Sequence, residues 1–168
     1  MIGNTRVVPS EEIRKNSMYV AVYEFNKARN QFAFNAEHEQ KMFNEEKKEF
    51  YEANSLAERV DALVDCKFVA LGTQMKMDAN GILKAPYHND VYLMENILRE
   101  EIEGISNEVF GCHDGRFEKI MRKAETIVCQ ANELKTKQLD KNGKVIKGDI
   151  PNATELIAKM IDKVLSDD

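Results

Sequence analysis

The chain has 168 residues and a mass of 19.3 kDa, which is enough for one domain with a substantial hydrophobic core. Its 43% hydrophobic and 32% charged residues exclude a disordered chain, and its scarcity of glycine (8) and proline (3) favours helices. The formal net charge of -5 argues against a general nucleic-acid-binding protein, which would carry a basic surplus.

Helical periodicity begins close to the start of the sequence. Pro9 and Ser10 precede a helix start signal, and an apolar pattern with helical spacing continues through residues 18–32. A second helix is predicted over about 37–53. Both patterns have one apolar face, which is typical of helices that pack against a common core.

The third predicted helix covers about 56–73. Ser55 and Glu58 have the spacing of a capping box at its start, and Gly72 with the turn residues beyond it marks its end. Because this helix is apolar almost all round, we expect it at the centre of a bundle.

The second half of the chain continues the helical pattern with one interruption. Helices are predicted over residues 90–105, 116–137 and 153–165. Asn142-Gly143, between short alternating segments, indicates a small hairpin or extended flap at about 139–151. Short connections favour antiparallel packing, so we predict a four- to five-helix bundle with an extended C-terminal flap, in one domain over residues 1–168.

Carboxylates occupy positions where apolar residues would be expected. At about 100° per residue, Glu46 and Glu49 share a narrow stripe of the second helix with Met42, while Lys47 and Lys48 point elsewhere. The two carboxylates therefore face the interior, where an unpaired charge is costly.

The third helix repeats this feature. Glu58, Asp61 and Asp65 lie on one of its sides, and only Arg59 and Lys67 supply positive charge. Two antiparallel helices joined by a short turn would bring four or five carboxylates together, and their repulsion would require protonation or a multivalent cation. Ligands that are all oxygen favour Mg²⁺ or Mn²⁺. The alternative is a solvated face with i,i+4 pairs to lysine, and Asp65 could also orient a ligand or pair with a lysine.

These residues resemble the all-α nucleoside triphosphate pyrophosphohydrolases, the MazG-like and dimeric dUTPase superfamily. That family is marked by EExxE on one helix and ExxD on the next, which correspond here to residues 45–49 and 58–61. The continuation at 61–73 is also similar, and residues 131–157 resemble the tail of small, often phage-encoded members. The helix at 90–105 would be an insertion relative to the family pattern.

The resemblance implies Mg²⁺-dependent hydrolysis of a (deoxy)nucleoside triphosphate to the monophosphate and pyrophosphate, with two or three ions, Mn²⁺ being the second choice of metal. The implied metal ligands are Glu46, Glu49, Glu58 and Asp61. The implied catalytic carboxylates are Glu45, Glu46 and Glu49, with Glu45 as a ligand or as acceptor of the nucleophile's proton. The implied substrate contacts are Phe25, Asn26, Asp65, Asn132, Lys135, Lys144 and Lys147.

The resemblance also bears on substrate and assembly. It slightly favours purine deoxynucleotides (dGTP or dATP), and the alternative is a dUTP/dUDP hydrolase of the same superfamily. It implies a homodimer or homotetramer. The odd number of cysteines (3), the absence of an apolar signal core and the absence of a membrane span lead us to expect a cytoplasmic protein without a membrane or nucleic-acid partner. A non-catalytic helical interaction module with an acidic face is the competing hypothesis.

Overall fold

The computed structural model describes residues 11–29, 31–82, 86–104, 115–135, 141 and 152–166. Seven helices and no strand lie within these ranges: α1 (Glu11–Arg14), α2 (Tyr19–Ala28), α3 (Ala36–Glu52), α4 (Leu56–Ala79), α5 (His88–Glu103), α6 (Arg116–Glu133) and α7 (Ala153–Ser166). The predicted all-α fold is confirmed. The predicted flap at about 139–151 lies outside the described residues apart from residue 141. None of these seven helices has the length and apolar character that crossing a membrane requires.

Helix α4 is the centre of the bundle, as its composition predicted. It contacts each of the other six helices. Val60, Leu63 and Val64 are fully buried on it, and so is Met75 near its end. A helix that is apolar on most of its circumference is stable only when neighbours cover it on several sides, and this places the carboxylates of α4 inside the bundle.

A short turn connects α3 to α4 and makes the two helices antiparallel. The Ser55 hydroxyl accepts a hydrogen bond from the backbone N–H of Glu58 at 3.1 Å, and the Glu58 carboxylate accepts one from the N–H of Asn54 at 2.7 Å. This arrangement confirms the cap predicted at Ser55. The turn directs the acidic stripe of α3 towards that of α4.

Replacing Ser55 by alanine is expected to destabilise the fold by about 1 kcal/mol, because the first turn of α4 loses its side-chain acceptor. The melting temperature followed by circular dichroism should fall by about 2–4 °C. Ser55→Asp keeps an acceptor at the cap and should retain the wild-type melting temperature. An equal loss in both variants would show that the hydroxyl does not act as the cap.

The predicted end of α2 is wrong. The apolar pattern runs to residue 32, but α2 ends at Ala28. Asn35 caps α3 in an extended conformation, with φ -137° and ψ 108°, and its side chain accepts from the N–H of His38 at 3.0 Å. The extended backbone at this cap separates α3 from α2, so the two helices are not continuous.

The end of α4 was also predicted wrongly. The helix continues past Gly72 and ends at Ala79, with Asn80 as its C-cap and Gly81 next at φ 77°. Gly72 serves packing instead of termination, because a Cβ atom at this position would lie 3.2 Å from Nδ2 of Asn26 on α2. The glycine lets α2 approach α4 closely.

The later helices differ from prediction by a few residues. Helix α5 spans 88–103 instead of 90–105 and is followed by Gly104, whose φ of 69° is a common way to end a helix. Helix α6 ends at Glu133 instead of 137. There the Arg29 guanidinium donates hydrogen bonds to the carbonyls of Asn132 and Lys135. It thus supplies donors to backbone carbonyls at the end of the helix.

Candidate metal centre and adjoining cleft

Three carboxylates converge where α3 faces α4. Glu46 and Glu49 on α3 and Asp65 on α4 each offer an oxygen atom, and these atoms all lie within 4.8 Å of one another. Glu46 is buried, Asp65 is partly buried and Glu49 is exposed. The group therefore reaches from the interior of the bundle to solvent.

The electrostatics of the group act on Asp65. Burial and the charges of Glu46 and Asp61 raise the pKa of its carboxyl well above the ordinary aspartate value; Lys135 partly opposes this shift, and Glu49 adds to it. A proton on Asp65 or a cation between these carboxylates would relieve their repulsion.

The donor atoms fit a hard cation. Among the described residues, no histidine or cysteine joins the three carboxylates. Burial raises the pKa of the Cys66 thiol and, to about 11, that of Cys129, so neither presents a thiolate at neutral pH. Mg²⁺ is typically held by one or two carboxylates together with water and substrate phosphates, which matches a group open to solvent on one side.

A cleft with about 640 Å³ of empty space, including its mouth, adjoins the carboxylates. It lies between α2, α3, α4 and the end of α6. Its lining residues are Phe25, Asn26, Gln31, Glu39, Met42, Glu46, Asp65, Phe68, Val69, Gly72, Lys76, Asn132 and Lys135. Five of the residues predicted to contact substrate are in this lining, namely Phe25, Asn26, Asp65, Asn132 and Lys135. Lys144 and Lys147 lie outside the described residues.

Two buried amides face this cleft. Asn26 is 5% exposed and Asn132 is 4% exposed. Among the described residues, Nδ2 of Asn26 has no hydrogen-bond partner. Buried donors are nearly always satisfied, so this amide indicates a ligand or water with an acceptor atom in the cleft.

Arg29 holds the end of α6 against the cleft. Its guanidinium lies 3.8 Å from the centre of the Phe25 ring and donates to the Lys135 carbonyl at 2.8 Å. It also donates to the carbonyl of Asn132 at 3.3 Å. These contacts position the backbone that carries two of the predicted substrate contacts. The sequence offers no local signal for this role.

The structure does not assemble the predicted metal set as a unit. Glu58 is exposed, and its carboxylate caps α4 instead of joining Glu46. Asp61 is partly buried and accepts a hydrogen bond from the Thr154 hydroxyl of α7 at 2.9 Å. It lies close enough to affect Asp65 but is outside the 4.8 Å group.

Asp65 takes the place in this group that was predicted for Glu58 and Asp61. The reason is the position of each residue along the helix axis. Glu58 belongs to the first turn of α4 and lies two turns from Asp65. Glu45 is partly buried on α3 and is not among the three converging carboxylates.

Two charged lining residues, Glu39 and Lys76, were missed by the sequence analysis. Glu39 continues the stripe of Glu46 at i−7, which could have pointed to it. Lys76 lies beyond the point at which α4 was predicted to end, so its face could not be assigned. Its ammonium donates to the Glu39 carboxylate at 2.5 Å, and the two side chains are 7% and 2% exposed.

Comparison with models of protein families gives no match for this chain, and neither a curated protein nor a solved structure matches it significantly.

Proposed function

We propose that the protein hydrolyses a (deoxy)nucleoside triphosphate to the monophosphate and pyrophosphate with the help of Mg²⁺. The observation that carries the proposal is the convergence of Glu46, Glu49 and Asp65 beside a cleft that holds a buried amide whose donor has no partner in the part of the chain that the structure describes. The carboxylates lie beside aromatic, amide and lysine side chains. Together they form a site for a ligand that has a charged group at one end and a planar ring at the other.

The charges of the cleft support an anionic ligand only together with a cation. Three acidic and two basic side chains line the described part of the cleft. Lys76 is paired with Glu39, and the charge of Lys135 acts on Asp65. A triphosphate would therefore be repelled unless divalent ions lay between its oxygens and the carboxylates.

Each residue has a role in this proposal. Glu46, Glu49 and Asp65 would hold Mg²⁺, with Asp61 next to them. Bound Mg²⁺ supplies neutralisation of phosphate oxygens and a water of lowered pKa. Lys135 would contact a phosphate as a point charge.

Other residues complete the arrangement. Glu45, beside this group on α3, would accept the proton of the attacking water. The Phe25 ring would contact the base.

The test is a screen of the eight common NTPs and dNTPs with pyrophosphate detection. The purified chain is assayed with Mg²⁺ and with a chelator. We expect pyrophosphate and the corresponding monophosphate from at least one nucleotide, and only with the metal. No turnover of any of the eight with Mg²⁺ or Mn²⁺ would overturn the proposal and favour the helical interaction module.

Assembly and location accompany this proposal. The homodimer or homotetramer implied by the resemblance stays a prediction, which sedimentation velocity of the purified chain tests. We place the activity in the cytoplasm, in keeping with the unpaired Cys66 and Cys129 among the described residues.

A further inference from the structure

A buried ion pair closes the cleft away from the three carboxylates. The Glu39 carboxylate accepts from the Lys76 ammonium through one oxygen and from the Thr73 hydroxyl, at 3.2 Å, through the other. Both charged side chains line the cleft. The desolvation of such a pair usually costs as much as its attraction returns, so bundle stability alone gives no reason for it.

The α3–α4 hairpin sets the distance between the two ends of the cleft. On α3, Glu39 and Glu46 are seven residues apart, which is about 10 Å at 1.5 Å per residue. On α4, Asp65 and Lys76 are eleven residues apart, or about 16 Å. The distance from the edge of the base to the phosphates of a nucleotide is comparable to these two separations. A ligand with phosphates at Glu46 and Asp65 would therefore place its base at the ion pair.

The walls between the two ends are apolar and partly aromatic. Phe25 and Phe68 meet edge to face with ring centres 5.3 Å apart, and Met42 and Val69 complete the lining. Such a surface accommodates a flat ring and leaves recognition to the polar groups at its edge.

Asn26 indicates independently that a ligand with an acceptor belongs here. Its side chain is 95% buried, lines the cleft, and has an Nδ2 donor without a partner among the described residues. It lies against Gly72, one helical turn before Lys76. The closed end of the cleft thus offers an amide donor, an ammonium donor and a carboxylate acceptor.

The chemistry of the bases discriminates among possible ligands. A carboxylate has about four acceptor positions, and those of Glu39 that Lys76 and Thr73 leave open can accept two more N–H groups. Guanine presents two neighbouring donors, N1–H and the 2-amino group, directly beside the O6 acceptor. Adenine, cytosine and uracil each present a single donor on the corresponding edge.

We propose that Glu39 and Lys76 select a guanine base, with the carboxylate accepting from N1–H and the 2-amino group and the ammonium donating to O6. Asn26 supplies a further donor to an acceptor of the same nucleotide. The inference rests on the proposed function for the phosphate end of the ligand. It identifies the substrate as GTP or dGTP.

The test uses monophosphates, because they bind without being hydrolysed. Isothermal titration calorimetry of the full chain with Mg²⁺ compares dGMP, dIMP, dAMP and dCMP. Since dIMP lacks only the 2-amino group, the wild type is expected to bind dGMP about tenfold to a hundredfold more tightly, the range for a hydrogen bond to a charged group. The dAMP and dCMP affinities should be lower still.

Two variants and a control separate recognition from structure. Glu39→Gln should reduce the preference for dGMP over dIMP to less than about threefold, since the amide cannot accept both N–H groups with full charge. Because this change leaves Lys76 buried without its partner, the double variant Glu39→Gln/Lys76→Met removes both charges and should also bind dGMP and dIMP alike. Glu125→Gln is the matched control. Glu125 pairs with Lys67 outside the cleft, and its loss should leave the preference unchanged.

The possible outcomes are distinct. Equal affinity of the wild type for dGMP and dIMP overturns the inference, and so does a Glu39→Gln variant that weakens all four nucleotides equally. Guanine-selective binding without pyrophosphate release would support the base site and overturn the proposed hydrolysis. Pyrophosphate release from all dNTPs with equal efficiency would support the proposed hydrolysis and overturn the selection of guanine.

Discussion

Asp65→Asn is expected to raise the melting temperature of the metal-free protein and to remove most of its response to Mg²⁺. In the wild type, the Asp65 carboxylate is partly buried beside Glu46 and Asp61, so its charge is destabilising when no cation is bound. Asparagine keeps the shape and removes the charge. It also removes one of three converging ligands. Thermal unfolding by circular dichroism, with chelator and with Mg²⁺, measures both effects.

The size of the wild-type response follows from mass action. Free Mg²⁺ at about a hundred times its Kd stabilises the folded state by about 2.7 kcal/mol, which raises the melting temperature of a domain of this size by about 5–10 °C. Asp65→Asn should show less than a quarter of this shift at the same concentration. A Mg²⁺ response as large as that of the wild type would place the metal elsewhere.

The pH dependence of the metal-free protein has a definite sign. The raised pKa of Asp65 means that, above the ordinary aspartate value near 3.9, the folded state keeps a proton which the unfolded chain releases. Stability from this group is therefore fully present below the unfolded pKa and is lost as pH rises through the folded one. Asp65→Asn should flatten this decline. Mg²⁺ should also reduce the loss of stability with rising pH, because the cation binds the deprotonated carboxyl.

Glu46→Gln is expected to lower kcat/KM for pyrophosphate release by about a hundredfold to a thousandfold, the usual loss when one electrostatic contact to the reacting group is removed. Glu46 is the most buried of the three converging carboxylates, and its charge is the largest electrostatic contribution to the raised pKa of Asp65. Removing it also relieves repulsion, so the chelated protein should be no less stable than the wild type. Steady-state kinetics with a fixed Mg²⁺ concentration measures the loss.

Glu52→Gln is the matched control on the same helix. Glu52 is exposed and lies 3.9 Å from Lys48, an arrangement that contributes little to stability. It should retain the wild-type rate. If Glu46→Gln and Glu52→Gln had the same rate, the proposed role of the converging carboxylates would be wrong, whatever the rate itself.

Local sequence signals located the helices well and their ends less well. The cap at Ser55 depends on residues within four positions of one another, so its pattern is legible without tertiary information. Gly72 was misleading, because a glycine can end a helix or admit a neighbouring helix, and only the approach of Asn26 decides between the two. The end of α6 depends on Arg29, more than a hundred residues earlier in the chain.

The site shows the same division. Helical periodicity was sufficient to place Glu46 on a buried face, whereas Glu49, predicted to share that face, is exposed. The resemblance named Asn26 and Lys135, which line the cleft. It did not predict that Asp65 would converge with the two glutamates while Glu58 remained at the cap. Spacing assigns residues to a face, whereas the level at which two helices meet comes from their packing.

Periodicity and capping act over a few residues, so the amino-acid sequence alone predicts an all-α fold with a central α4 and an acidic face on each of two consecutive helices. Tertiary structure decided which carboxylates meet, that Lys76 closes the cleft against Glu39, and that Asn26 lies beside Gly72. The physical reason is that the rotation and relative height of packed helices are set by side-chain contacts between distant segments, which no local pattern contains.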